Sequence, residues 1–352
     1  MKTLSQLDGY VIAEVGVNHE GSFDKAVEMI NSVSRAGGDA VKFQTYKASH
    51  LAAKNSPAYW DINEEPTKTQ FELFSKFDTF DKDDYIKLAK ICKELNLDFM
   101  STPFDIPCME WLVPLMPYVK IASADLTNDL LLEAVSNFKK PVILSVGASE
   151  DSEITHAVEL LLTNGVPEIC LLHCMLLYPT PVERAYLANI SRLIKTYKNK
   201  EICIGYSDHV RSNDVNNDQI LAAYAMGANI IEKHFTFDKG LPGNDHYHAM
   251  DEQDLKSVSD RLMTLRSLKS TEENYMGEQI SLQQDAIINA RRSLYFTRSK
   301  QAGEIISYDD IIAKRPGTGI SPIEYKSVVG RKLLSSVNQG DQIERRLLDL
   351  FS

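Results

Sequence analysis

No run of this 352-residue chain is apolar for the roughly 18 residues that a membrane-spanning helix needs. Its first residues also lack the apolar core of a signal peptide, so a cytoplasmic location and no membrane partner are expected. Cysteine is scarce and odd in number: Cys92, Cys108, Cys170, Cys174 and Cys203 show no CxxC spacing. That argues against a disulfide framework, and three of the five lie in apolar, strand-like runs that suit reduced core thiols. Positive charge is short as well, with 38 Lys and Arg against 49 Asp and Glu, a formal net charge of -11. A general role in coating nucleic acid is thereby excluded, and any small anion must be met by basic residues gathered locally. No internal repeat or low-complexity tract is present.

What is there is a soluble globular composition, 43% hydrophobic and 25% charged, at a length suited to one large domain plus a small one. Eight short apolar runs occupy residues 10–16, 40–44, 98–102, 118–123, 141–147, 168–174, 201–207 and 229–235. Most are continuous in Val, Ile and Leu, as strands covered on both faces are. Amphipathic helical patterns lie between them, over 23–37, 81–95, 151–164, 213–227 and 251–268. Alternating strand and helix predicts parallel pairing with right-handed crossovers. Eight such units in about 260 residues fit a closed (β/α)8 TIM barrel, with a doubly wound sheet as the alternative. The expected division is a barrel over 1–268, a polar linker over 269–286 and a small β-rich domain over 287–352. Residues 47–80 form an unusually long connection with a short helical piece at 71–77, expected on the catalytic face because it follows a strand.

Function in a barrel collects at the carboxyl ends of the strands. Polar residues sit there on nearly every strand: Glu14, Lys42 and Gln44, Thr102, Lys120 with Ser123 and Asp125, Ser145, His173 and Tyr178, Ser207 and His209, Glu232 and His234. Residues two apart share a face, so Ser207 points with His209. Strands seven and eight are neighbours, which brings His209 and His234 together as ligands for a divalent transition metal; the bland alternative is two histidines bonded to backbone. Asp208 and Lys233 have the opposite parity and read as structural, Asp208 as a loop or helix cap. Lys42 and Lys120 stand inside apolar strands, where an unpaired lysine is costly. Three explanations are open: anion binding with the nearby hydroxyls, Schiff-base chemistry, or ion pairs to Glu14 or Glu232. His173 reads as a core histidine. The run "LPGNDHYHAM" (241–250) gathers Asp245, His246 and His248 over the same mouth, with Asp245 facing a sugar hydroxyl or acting as a base.

The motifs "IAEVGVNHEGS", "AVKFQT", "STPFD", "KIAS", "GYSDH", "EKHFT" and, in the tail, "RRSL" and "KRPGTGI", taken in order, resemble the sialic acid synthase family. These enzymes condense phosphoenolpyruvate with a sugar to make nine-carbon 2-keto-3-deoxy acids. The resemblance implies a barrel followed by an antifreeze-protein-like (SAF) domain, and a homodimer in which each tail domain covers the partner's site. It implies that His209 and His234 hold a divalent ion, manganese with magnesium or cobalt as alternatives. Lys42, Thr102, Lys120, Ser123, Ser145 and Ser207 would then cradle phosphoenolpyruvate. Gln44, Tyr178 and Asp245 would face an open-chain acylated mannosamine, with Arg315 reaching its N-acyl group from the partner chain. Glu14 and Asp125 would manage protons and water. Two positions depart from the N-acetylneuraminate-forming bacterial pattern: Asp125 replaces a glutamate, and Leu176 stands where a polar residue is common. A diacetamido sugar of the legionaminic type is therefore a competing substrate. A Schiff-base pyruvate aldolase and a non-catalytic platform are the alternatives outside this class.

Overall fold

The computed structural model describes residues 2–60, 62, 65–197, 202–243, 245–269 and 275–349. They belong to two compact units, Met1–Lys269 and Ser270–Ser352. In the first, eight strands run β1 Tyr10–Gly16, β2 Ala40–Thr45, β3 Asp98–Pro103, β4 Val119–Ile121, β5 Val142–Ser145, β6 Ile169–His173, β7 Ile202–Asp208 and β8 Ile230–His234. All pair in parallel in the order β3-β2-β1-β8-β7-β6-β5-β4. β3 and β4, the ends of that order, lie side by side and complete the barrel. Tyr10 to Glu14 run alongside Ile230 to His234, and this pairing of first strand with last excludes the doubly wound alternative.

Strand alternation sorts every side chain. One parity faces outward and packs under the helices: Val11, Ala13, Val41, Phe43, Leu144, Leu171, Ile204 and Ile231 belong to a single large core. The other parity faces the barrel axis and changes character along each strand. Its lower half is apolar, with Tyr10, Ile12, Ala40, Met100, Ile143, Cys170, Leu172 and Ile230 closed from below by Leu4 and Leu7. Each fully buried Leu or Ile contributes roughly 1.5–3 kcal/mol, so this plug fixes the floor of the barrel firmly. The upper half of the same row is polar, and it carries the site.

Helix ends follow local chemistry. Phe23–Ala36 is capped by Ser22, which accepts from the Lys25 N–H, and ends at Gly37 with φ 80°. Lys82–Glu94 and Glu252–Leu268 begin with capping boxes at Asp81 and Asp251. The helix expected over 213–227 is instead two, Ser212–Val215 and Asp218–Ala225. Asn216 and Asn217 between them take left-handed φ of 50° and 58°, a conformation asparagine tolerates better than most residues and a helix cannot contain. The long connection after β2 carries the helix Gln70–Phe77, and Glu65 bonds Lys76 at 2.7 Å. Glu65 also abuts Gly243, where φ is +79° and a Cβ would stand 2.8 Å from Glu65 Oε2. That contact lays the connection against the 241–250 run. Among the described residues no helix is long and apolar enough to cross a membrane.

The second unit pairs β9 Ser293–Phe296 antiparallel with β10 Ile311–Lys314 over a small core that includes Leu294, Phe296, Ile306, Val328 and Ile343. The stretch expected as a polar linker carries the helix Tyr275–Leu282 and enters a second, Gln284–Ala290; residues 270–274 lie outside the described residues. The segment has no proline and is rich in Glu and Gln, both good helix formers.

Candidate active site

The upper, axis-facing row brings two lysines and two glutamates into one buried cluster. Lys42 Nζ on β2 lies 2.5 Å from Glu14 on β1 and 3.6 Å from Glu232 on β8, and Lys120 Nζ on β4 lies 3.6 Å from Glu232. Ion pairs, one of the three explanations open for these lysines, are thus present. Hydroxyls surround them. Lys42 donates to Thr102 Oγ1 (3.1 Å), Lys120 to Ser145 Oγ (2.8 Å), and Ser207 to Glu232 Oε1 (3.0 Å). Gln44 donates to the other oxygen of Glu14 at 3.0 Å. Two cations and two anions cancel, so the cluster carries no net charge while remaining rich in donors.

Burial shifts each group. Glu14 is raised above the usual carboxylate range, by desolvation first, with Lys42 pulling down and Glu232 pushing up. Glu232 is also desolvated, but Lys120 and Lys42 together hold it below that range. Lys42 is held above the ordinary lysine value because Glu14 and Glu232 outweigh its desolvation. Lys120 goes the other way: desolvation wins over the attraction of Glu232 and lowers it.

Beside this cluster stand three histidines. His209 directly follows β7, and its Nδ1 faces the Met175 carbonyl at 2.8 Å. A carbonyl only accepts, so Nδ1 carries the proton and Nε2 keeps its lone pair. His234 ends β8, with ring centroids 5.5 Å from His209. His248, from the loop after β8, sits 4.9 Å from His234 and 5.9 Å from His209. All three are buried. Desolvation lowers His209 to about 4 and takes His234 and His248 well below the ordinary histidine value, so all are neutral near pH 7. Asp245 lies 3.4 Å from His234, pushed up to about 7 chiefly by desolvation and then by the Glu14 charge, although 28% of its side chain remains exposed. Tyr178 covers His209 at 4.3 Å between ring centroids.

Ser123 and Asp125 lie on the short turn Ser123–Asp125 after β4. Ser123 Oγ accepts from the Gly147 N–H at 2.9 Å and meets Cys174 Sγ at 3.1 Å. Gly147 makes this possible: a Cβ there would stand 2.4 Å from Leu176 and 2.6 Å from Cys174. Asp125 takes a bond from Asn128 (3.1 Å), and burial raises it while Lys120 opposes. The residues expected at the site from the first unit therefore gather at one end of the barrel. Arg315 belongs to the second unit, where it is exposed and makes no ion pair among the described residues.

Asp208 caps the loop after β7 and not a helix, its Oδ1 accepting the Val210 N–H. It is a fully buried anion bonded by Lys233 (2.5 Å), Tyr206 (2.7 Å), Gln219 (2.7 Å) and the Val210 N–H (3.2 Å), and these hold it low against the desolvation that would raise it. The outward parity of Asp208 and Lys233, on paired positions of β7 and β8, makes them partners under the helices. His173, also outward, donates Nε2–H to the Ala185 carbonyl at 2.8 Å, as a core histidine would. Sequence reasoning named Glu232 only as one ion-pair partner and gave His248 no role. Glu232 carried a signal, since it sits two before His234 and shares its face. His248 carried only its place in a histidine-rich loop.

The NeuB family model matches residues 29–274, and the SAF domain model residues 291–344. The chain is 35% identical over 340 residues to an uncharacterized protein of Methanocaldococcus jannaschii, covering 95% of this chain and 93% of that one. It is 33% identical over 345 residues to the N,N'-diacetyllegionaminic acid synthase of Legionella pneumophila, covering 96% and 93%. Among solved structures, the N-acetylneuraminic acid (sialic acid) synthetase of Leptospira borgpetersenii, in complex with citrate, superposes with a TM-score of 0.66 at 31% identity. That match covers 78% of this chain and 91% of that one.

Proposed function

This chain belongs to the NeuB family, and we propose that it condenses phosphoenolpyruvate with an open-chain, N-acylated mannosamine-type sugar, giving a nine-carbon 2-keto-3-deoxy acid and phosphate. The observation that carries the reading is the meeting, at one barrel mouth, of two lysines and their hydroxyls with neutral histidines. Lys42, Lys120, Thr102, Ser123, Ser145 and Ser207 offer cations and hydroxyl donors to a substrate with both a phosphate and a carboxylate. On binding, the anion takes over lysine charge now spent on Glu14 and Glu232.

The donor set fits a divalent ion: His209 keeps the Nε2 lone pair, and His234 leaves Nδ1 with no hydrogen-bond partner. Held by His209 and His234, the ion, manganese in the first instance, would polarise and orient the sugar aldehyde. Gln44, Tyr178 and Asp245 face the sugar from the surrounding walls. C3 of phosphoenolpyruvate bonds to the aldehyde carbon, and the aldehyde oxygen takes up a proton. Water then adds at C2, and the C2–O bond to phosphate breaks as the ketone forms. Glu14 and Asp125, both raised by burial, are the carboxylates suited to carry the protons that water loses and the aldehyde oxygen gains. The family resemblance adds a homodimer in which Arg315 serves the N-acyl group of the sugar.

A legionaminic-type 2,4-diacetamido sugar is favoured as the acceptor by one feature. Leu176 packs on Gly147 beside Ser123 and presents an apolar group in place of a hydrogen-bonding one. Phosphate release from phosphoenolpyruvate, assayed over a panel of acylated mannosamines and diacetamido sugars with product masses, tests both levels. The reading requires release only when both substrates and a divalent ion are present. Release without an acceptor sugar, or none with any acceptor, overturns it.

A further inference from the structure

Fourteen residues beyond His234, the loop after β8 returns to the mouth and delivers His248. Its side chain is fully buried, and neither ring nitrogen has a hydrogen-bond partner. A neutral imidazole offers one donor and one acceptor, and leaving each unmet in the interior costs about 1–3 kcal/mol. His234 Nδ1, facing the same space, is likewise unpartnered. Asp245 stands between them, with Oδ2 3.4 Å from His234 Nδ1 and Oδ1 3.8 Å from His248 Nε2. One ligand atom from each of the three residues lies within 4.8 Å of the others. Donors bound at about 2.1 Å to one ion stand at most about 4.2 Å apart, so a small inward movement closes the set.

The loop is built to hold His248 there. Met250 N–H donates to the His234 carbonyl at 2.8 Å, and Thr236 N–H to the Met250 carbonyl at 2.8 Å. Ser212 Oγ donates to the Ala249 carbonyl (3.0 Å). His246, two residues earlier, spends its Nδ1 on Thr236 Oγ1 at 2.7 Å, outside the cluster. Tyr178 and Tyr247 wall His248 edge-on without supplying it a hydrogen bond.

We propose that His248 is a protein ligand of the divalent ion, which with Asp245 and His234 gives the site a carboxylate and an additional imidazole beyond the strand-borne histidines. The inference rests on the reading that a divalent ion works at this mouth. Its consequence is that the ion stays bound before either substrate arrives, because more of its donors come from the protein.

The test uses the full chain stripped with a chelator and titrated calorimetrically with Mn2+ in the absence of substrate. His248→Phe keeps the ring volume and removes the donors, and His248→Gln keeps the polarity. Both are expected to raise the Kd by about 100-fold, the upper end of what losing a merely orienting partner costs. The visible spectrum of bound Co2+ should change with the loss of a nitrogen donor. The apo form of His248→Phe should melt no lower than apo wild type, because an unsatisfied imidazole has gone. An unchanged Kd and Co2+ spectrum, with a lowered apo Tm, would mean a purely structural histidine and overturn the proposal. If that happens while wild type still releases phosphate, the proposed function stands without this ligand. If Kd rises as expected but no acceptor supports phosphate release, the ligand assignment stands and the proposed function falls. Wild type that binds neither Mn2+, Mg2+ nor Co2+ overturns both.

Discussion

Lys42 Nζ lies 2.5 Å from Glu14 and 3.6 Å from Glu232, so a cation buried inside a barrel is answered by carboxylates on two other strands. Removing it alone strands both anions. Lys42→Met is expected to cost about 3–5 kcal/mol of stability at neutral pH by urea denaturation. Adding Glu14→Gln should recover part of the loss, because one stranded charge then disappears. A loss in the double variant equal to the sum of the Lys42→Met and Glu14→Gln losses would show that the pair is not energetically coupled.

His209 keeps its Nε2 free because Met175 takes the other ring proton. His209→Ala should cut chelator-sensitive turnover by roughly 10²–10³-fold with an unchanged circular dichroism spectrum. Full activity in that variant would remove His209 from the metal site.

Of the two lysines in the barrel mouth, Lys120 is the one that desolvation lowers, and so the one suited to act as an amine nucleophile. It already donates to Ser145 and to the Ile121 carbonyl, as an anion-binding ammonium would. Borohydride reduction in the presence of pyruvate is therefore expected to leave no adduct on Lys120 or Lys42 by peptide mass. An adduct would move the chain to the Schiff-base aldolases.

In the second unit, Asp310 is buried and takes bonds from Arg298 (2.6 Å), Lys300 (2.8 Å) and both the N–H and hydroxyl of Ser307. Burial alone would raise it, but these partners hold it well below the usual carboxylate range. A carboxyl depressed in the folded state binds fewer protons there than when unfolded. Its contribution is therefore complete above the unfolded pKa of about 3.9 and fades as pH falls through the folded value. Asp310→Asn should destabilise this unit at pH 7, measured by amide exchange of β9 and β10. The gap from wild type should shrink below about pH 4; a gap that stays constant to pH 2 would rule the ion pairs out as its source.

Much of the barrel was legible beforehand because strand periodicity is a property of the backbone alone. A period of two sets which residues of "GYSDH" and "EKHFT" share a face, so Ser207 with His209 and Glu232 with His234 could be read without coordinates. The eight strands and their parallel order follow from alternating apolar runs in the same way. Other features depend on which distant segments meet, and no local period encodes that. The junction of β1 with β8, the neutral balance of Lys42, Lys120, Glu14 and Glu232, and the pairing of Asp208 with Lys233 all arise across the barrel. The helical state of 275–290 escaped because polarity alone does not separate a solvated helix from a linker. His248 shows the limit most plainly. Its residue type is visible in a loop, but its burial beside His234 and Asp245 exists only once packing has folded that loop back over the mouth.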